Sequence, residues 1–385
     1  KKMNDLIMYF NELTDTRDPR GFKHELTNCI VMTIFSVLAG HYDAENIAYF
    51  LKLNEEYFVK ELDLKHGTPS PDTLLRIYSL IDPDEFMKIF VKWVENIVKE
   101  KNEQLNNKYK LIPIDGKGIK SATDKINGGN TPYIVSAFLQ DLGISIAGVK
   151  VDSKSNEITA IPELLDLINI EGCIITIDAI GCQKNIAKKI VEKGDHYCLT
   201  VKENKKNLYL DIKEYFDYAL NNHLERKNII SYTTTTKDHG RIERREHYLI
   251  YDIEWLYGKE DWKNISMIGM TRNYREINDE VSVQEKYYIS DLKLSGEEFS
   301  RVVRGHWSIE NNLHWILDVH FREDWSLCKE ENAMKNLATI RKICYNFTKL
   351  DPFNPKLSFN KKLTLYNHDF NNIKKLIFSV VPLEY

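Results

Sequence analysis

The stretch KLIPIDG, Lys110 to Gly116, decides the reading of this chain: a short apolar run leads straight into Asp115 and a glycine. Two further β-rich runs, YIVSAFLQD (133–141) and ISIAGVKVD (144–152), follow it with turn residues between, so three strands in meander order are predicted. After them the periodicity predicts a helix over 160–170, a strand over 173–178, a helix over 183–193 and a strand over 196–201.

Strand, strand, strand, helix, strand, helix, strand is the order of the ribonuclease-H-like fold, so the expected class is α/β, a mixed sheet with helices packed on it. Ahead of it, residues 3–105 read as all-helical, because apolar positions recur every three or four residues in 24–38, 47–53 and 86–97. Asp72 before TLLRIYSLI, and Asp82-Pro83, are the helix-start signals there. Behind it, 207–290 reads as one helix (208–220) and four strand-like runs, near 228–236, 243–251, 265–272 and 281–289. A strong helix pattern then runs from Gly296 to about Phe321. The expected organisation is a helical N-terminal domain (1–105), a core in two parts (106–206 and 293–350) around an inserted, mostly β subdomain (207–292), and a basic C-terminal segment (351–385).

Asp178 repeats the pattern of Asp115, closing the apolar run CIITID. An ionised group at the end of a buried strand is costly to desolvate unless a cation or donors meet it. A divalent metal shared by the two would answer both. Glu310, in RGHWSIENNLHWILDVHF, shares its predicted helix face with Val303, Trp307, Leu313, His314 and Leu317, and a glutamate on so apolar a face is the third candidate ligand. Three carboxylates supply the hard oxygen donors that two Mg²⁺ ions need for phosphoryl transfer, with Mn²⁺ as a substitute. His306, His314 and His320 are spaced by eight and six, which does not match a helical zinc pair, so they read as core or phosphate-contacting residues. Trp307, Trp315 and Trp325 read as packing residues.

Hydrophobic residues at 43% and charged residues at 29% are ordinary for a folded globular protein and exclude collagen-like or disordered classes. The longest apolar stretch, CIVMTIFSVLAG (29–40), is too short to span a bilayer, so no membrane partner is expected. Six cysteines without a C-x-x-C pair, and no visible leader, predict a reduced cytosolic protein. The net charge of −4 leaves any nucleic-acid footprint local. Such a footprint is predicted over 335–375, where nine Lys or Arg against Asp351 and Asp369 leave 9 − 2 = +7, with Arg341 and Lys342 as the expected phosphate contacts.

Long stretches of the chain resemble the ISAs group of insertion-sequence transposases, which includes the H-repeat-associated proteins. TRDPRGFKHEL, LAGHYDAENIAYF and PSPDTLLRIYSLIDPDEF look like that family's N-terminal associated domain. The 42-residue run from VKVDSKSNE to CQKNIAKKI (149–190), and VRGHWSIENNLHWILDVHFREDWS, look like its catalytic core. The resemblance implies a DDE transposase with Asp115, Asp178 and Glu310 as its triad, spaced by 178 − 115 = 63 and 310 − 178 = 132. It also implies a β insertion before the last catalytic helix and a bacterial, nucleoid-associated location. The chain departs from related signatures. Val303, His306 and Leu317 stand where Y-x2-R-x3-E-x6-K has Tyr, Arg and Lys, Lys202-Glu203-Asn204-Lys205 replaces K-G-N-Q, and Leu327 replaces an arginine. DNA-end contacts are therefore expected from Arg304, His306 and Asn311, with Lys117, Lys202 and Lys205 beside the carboxylates.

The expected activity is metal-dependent cleavage and strand transfer at the terminal inverted repeats of a mobile element, by a homodimer assembled on double-stranded element and target DNA. A domesticated DNA-binding derivative and an endonuclease without strand transfer are the competing classes.

Overall fold

A computed structural model describes residues 8–18, 22–101, 105, 107–119, 131–151, 157–221, 229–238, 241–277, 280–325, 328 and 330–380. Leu327 lies outside them. Helices α1 (Leu26–Leu38), α2 (Ala44–Leu53), α3 (Glu55–Leu62), α4 (Pro71–Leu80) and α5 (Pro83–Lys101) precede the strands. Every residue of α1 is buried, its Thr33 and Ser36 hydroxyls donating to the Cys29 and Met32 carbonyls of the same helix. The start signal for α4 is Ser70 rather than Asp72: its hydroxyl accepts from the Thr73 N–H, and Pro71 takes the first helical position, where no N–H is needed. Asp82 does open α5, accepting from the Asp84 N–H at 2.9 Å.

The strands follow as β1 (Lys110–Gly118), β2 (Tyr133–Leu139) and β3 (Ile144–Val151), then α6 (Glu157–Leu167), β4 (Cys173–Ile177), α7 (Lys184–Glu192) and β5 (His196–Val201). This is the order expected from the sequence. β2 lies antiparallel between β1 and β3, and β4 runs parallel to both β1 and β5. α8 (Lys206–Asn221) leads to β6 (Ile229–Asp238), β7 (Arg241–Ile250), β8 (Met267–Ile277) and β9 (Glu280–Ser290), close to the four expected runs. These four strands do not make a separate sheet. β9 pairs with β5, so all nine form one sheet in the order β3-β2-β1-β4-β5-β9-β8-β7-β6. Without β9, the backbone of β5 would be left as an unpaired edge beside the parallel strands.

The long helix expected over 296–321 is three pieces. α9 (Gly296–His306) opens on a Ser295/Glu298 capping box, a π-helical turn covers Ile309–His314, and α10 is Trp315–Val319. α11 (Glu331–Leu350) is buried along nearly its whole length, packed on α1, α4, α5 and β3. The N-terminal helices thus share one apolar core with the sheet through α11. Two asparagines make that joint polar-tight: Asn336 donates to the Tyr78 and Ile81 carbonyls, and Asn346 bonds both the N–H and the C=O of Ser145 on the edge strand β3. α12 (Phe359–His368) and α13 (Phe370–Val380) close the chain. Among the described residues no helix is long and apolar enough to cross a membrane.

Side chains alternate across the sheet. Leu111, Ile174, Cys198, Leu249, Met267 and Tyr288 share a face with Phe299, Val302 and Val303 of α9. α9 rides close on that face because Gly305 has no Cβ: one added there would lie 2.2 Å from Leu111 Cδ2. Gly305→Ala is therefore expected to lower stability by about 1–2 kcal/mol in a denaturant melt, overpacking outweighing the better helix propensity of alanine.

Candidate active site

β1 and β4 run parallel with Ile114 opposite Ile177, so the next residues, Asp115 and Asp178, leave neighbouring strands at the same level. By alternation both lie on the face that α9 covers, as does Thr176. Asp178 caps the short turn Ala179–Gly181, accepting from the Ile180 N–H at 3.1 Å. Asp115 Oδ2 is 3.5 Å from His314 Nδ1. Thr176 Oγ1 and His306 Nδ1 are 3.0 Å apart, which holds the His306 ring within electrostatic reach of both aspartates.

Burial pushes the Asp115 carboxyl up, but the hydrogen bond and charge of His314 and the charge of His306 carry it below the usual aspartate value. Glu310 moves the other way: desolvation and then the Asp115 charge raise it, against His314 and Lys286, with Asp178 adding to the rise. His306 is held below the ordinary histidine value by burial, although both aspartates favour its charged form. The charges of Asp115 and Asp178 thus both bear on Glu310, the electrostatic pattern of a site made for a cation. Glu310 is exposed rather than turned into an apolar face: it lies in the π-turn, whose buried residues are Ile309, Leu313 and His314.

The donor set fits a divalent metal. It offers hard carboxylate oxygens, and His314 Nε2 beside Asp115 is buried without a hydrogen-bond partner. Among the described residues, however, no three His, Cys, Asp or Glu side chains are gathered closely enough to enclose an ion. Asp178 is turned to the Ile180 N–H and Asp115 to His314, so joint coordination requires side-chain rotation.

Sequence reading missed Lys286 of β9. Its ammonium lies 4.1 Å from the centre of the Trp307 ring, and it feels Lys202 and Glu310. No local motif marks it. Only the pairing of Val201 with Tyr287 brings it beside the chain that follows β5. Trp307, Trp315 and Trp325 are corrected from packing residues to exposed ones, at 45%, 55% and 76%. Arg304, Trp307 and Asn311 line a groove of about 830 Å³ that continues over β7–β9 past Arg245, Asn273, Gln284 and Lys286. Lys202 is exposed, and Lys205 donates to Gln183 Oε1 at 2.7 Å.

Three expected phosphate contacts are not surface groups. Lys117 is paired with Asp318 and Glu323, Arg341 donates to the Phe321 carbonyl at 3.2 Å, and Lys342 is 1% exposed. Lys362, from the same basic segment, is also buried and donates to the Thr348 carbonyl. The +7 segment therefore spends part of its charge inside the protein, where Glu323 answers it. Burial pushes the Glu323 carboxyl up, but Lys117, Lys342 and Arg341 bring it down to about 2.

Arg341→Ala is expected to destabilise the fold by about 3 kcal/mol, since it removes one partner of a buried charge cluster, and to leave the salt dependence of DNA binding unchanged. Melting curves and binding titrations at several salt concentrations check the two halves. A raised Glu310 pKa means that the ionised carboxylate costs folding energy above that pKa and that the cost fades as pH falls through it, to vanish below the ordinary glutamate value. In chelator, Glu310→Gln should therefore melt slightly above the wild type near pH 7, by under about 1 kcal/mol after solvent screening, and lose that advantage below about pH 4. Added Mn²⁺ should reverse the order by stabilising the wild type alone.

Known proteins similar to this chain identify its family. Residues 106–347 match the family model described as transposase DDE domain, and residues 7–94 match the DDE_Tnp_1-associated model. YncI of Escherichia coli O157:H7, by its name a candidate transposase, is 34% identical over 89% of this chain and 87% of its own length. The H repeat-associated YhhI of E. coli K12, also a candidate transposase by name, is 33% identical over 90% of each chain. The cryo-EM structure of a piggyBac transposase synaptic complex with hairpin DNA covers all of this chain and 82% of its own at 11% identity, with a TM-score of 0.41, too low to add weight. The family models and the full-length relatives are sufficient: this chain belongs to the DDE transposase family, enzymes that act on DNA and depend on divalent metal.

Proposed function

We propose that Asp115, Asp178 and Glu310 are the metal-binding triad of this transposase, set in a ribonuclease-H-like core formed by 106–206 and 293–350. The reading rests on one observation above the others: Asp115 and Asp178 emerge side by side from the parallel pair β1 and β4, and both charges raise the Glu310 carboxyl. The triad would hold two Mg²⁺ ions, with Mn²⁺ as a substitute. When bound, such ions supply Lewis acidity to the attacking hydroxyl and to the leaving 3′ oxygen.

The chain's own groups bind and orient. The Thr176 hydroxyl fixes the His306 ring beside the two aspartates, and His314 steadies Asp115. Lys202, Lys205, Arg304, His306 and Asn311 remain the proposed DNA contacts, joined by Lys286 over Trp307. The groove along β7–β9 gives duplex DNA a polar path to the carboxylates. Lys117, Arg341 and Lys342 are excluded because their charges are engaged or buried.

The DNA is proposed to be the terminal inverted repeats of a mobile element and its target, held by a homodimer in the bacterial nucleoid. The N-terminal helices α1–α5, the strands β6–β9 and the helices α12 and α13 supply more gripping surface than a nuclease of this core needs, which favours retention of the cut end for a second step.

Asp115→Asn is expected to reduce cleavage of element-end DNA more than about 100-fold while leaving its binding within about twofold, because it removes a ligand and no phosphate contact. With Mg²⁺, element-end DNA and a supercoiled plasmid, the wild type should yield covalently joined products. Nicked or linear DNA alone would assign the chain as an endonuclease, and binding without cleavage as a domesticated derivative.

A further inference from the structure

Lys117 stands two residues beyond Asp115 on β1, so the two side chains leave the same face of the strand. His314 and Asp318 stand four residues apart after Glu310 and share a helix face. Asp115 meets His314, and Lys117 meets Asp318. The spacings agree: two residues of strand advance about 6.6 Å and four of helix about 6 Å, so both rungs close together in one register. Lys117 also donates to Glu323 Oε2 at 2.7 Å, and the Glu323 side chain is 3% exposed.

The first rung falls on the last residue of the π-turn, Ile309–His314, which contains Glu310. A π-turn carries an extra residue relative to the α-helix, and relaxing it would rotate the helix beyond the turn by about 100° against the helix before it. A helix with such a turn needs a pin beyond it to keep Glu310 aimed. We propose that Lys117, Asp318 and Glu323 are positioning residues: the Lys117 ammonium locks the register of the catalytic helix on β1, and with it the separation of the Asp115 and Glu310 carboxylates, rather than gripping a DNA phosphate. The proposal rests on the assignment of Asp115 and Glu310 as metal ligands.

The test measures Mn²⁺ binding by the full chain without DNA, from the electron paramagnetic resonance signal of free Mn²⁺, alongside DNA affinity at several salt concentrations. Lys117→Met is expected to weaken Mn²⁺ binding about 10-fold or more, the scale of losing an orienting group behind a ligand. Its DNA salt dependence should stay at the wild-type slope, and Lys117→Arg should recover most of the metal affinity. Asp318→Asn, which leaves Lys117 paired with Glu323, should weaken Mn²⁺ binding less, and adding it to Lys117→Met should cost less than the sum of the two.

Wild-type Mn²⁺ affinity in Lys117→Met overturns the proposal. So does a salt slope lowered by about 0.9, the signature of one lost phosphate contact. Should Lys117→Met fail to fold, Asp318→Asn decides alone, and unchanged Mn²⁺ affinity there overturns the proposal as well. Asp115→Asn separates the two levels: if it binds Mn²⁺ like the wild type, the ligand assignment itself fails, whereas loss in Asp115→Asn with none in Lys117→Met defeats the positioning role only.

Discussion

The parallel pairing of β1 with β4, Ile114 opposite Ile177, is the constraint on which the rest of this structure depends. It sets two carboxylates at one level on one face of a buried sheet, an arrangement that desolvation and like charge both oppose. Much of the surrounding chemistry offsets that cost. His314 leans on Asp115, the Ile180 N–H bonds Asp178, and His306 is held by Thr176 within reach of both charges. A fold that keeps like charges together against this opposition supports a cation-binding reading of the site.

The sheet does more than present those strands. Because β9 closes on β5, the extension β6–β9 continues the same surface, and the face that carries Asp115 and Asp178 runs on into the groove lined by Arg245, Asn273, Gln284 and Lys286. The site and the proposed DNA path are therefore one alternation of side chains read across neighbouring strands. α9 covers the same surface from above, brought close by Gly305 and presenting Arg304 and Trp307 at the groove's wall.

Charge inside this protein is spent on architecture. α11 carries Arg341 and Lys342 into the interior, where Glu323 is their counter-ion, and Asn336 and Asn346 tie the same helix to the N-terminal helices and to the sheet edge. Breaking such a joint exposes an unpaired buried group, so the N-terminal helices and the nine-stranded sheet are held by polar bonds as well as by a common apolar core.

Local periodicity was enough to read the strand order through β5, the four strands of the extension and the helical character of the N-terminal region, because those depend on which residues alternate along the chain. Asp115 and Asp178 were legible for the same reason: a carboxylate closing an apolar run is anomalous wherever the strand goes. Pairing is not local, and it decided what remained. Only the β5–β9 register placed Lys286 near the carboxylates, only the π-turn set Glu310 at the surface, and only the packing of α11 on the N-terminal helices and β3 took Arg341 and Lys342 out of solvent. A lysine reads the same in sequence whether it meets phosphate or a buried glutamate. The difference lies in which distant carboxylate the fold brings within reach, which is a property of tertiary structure alone.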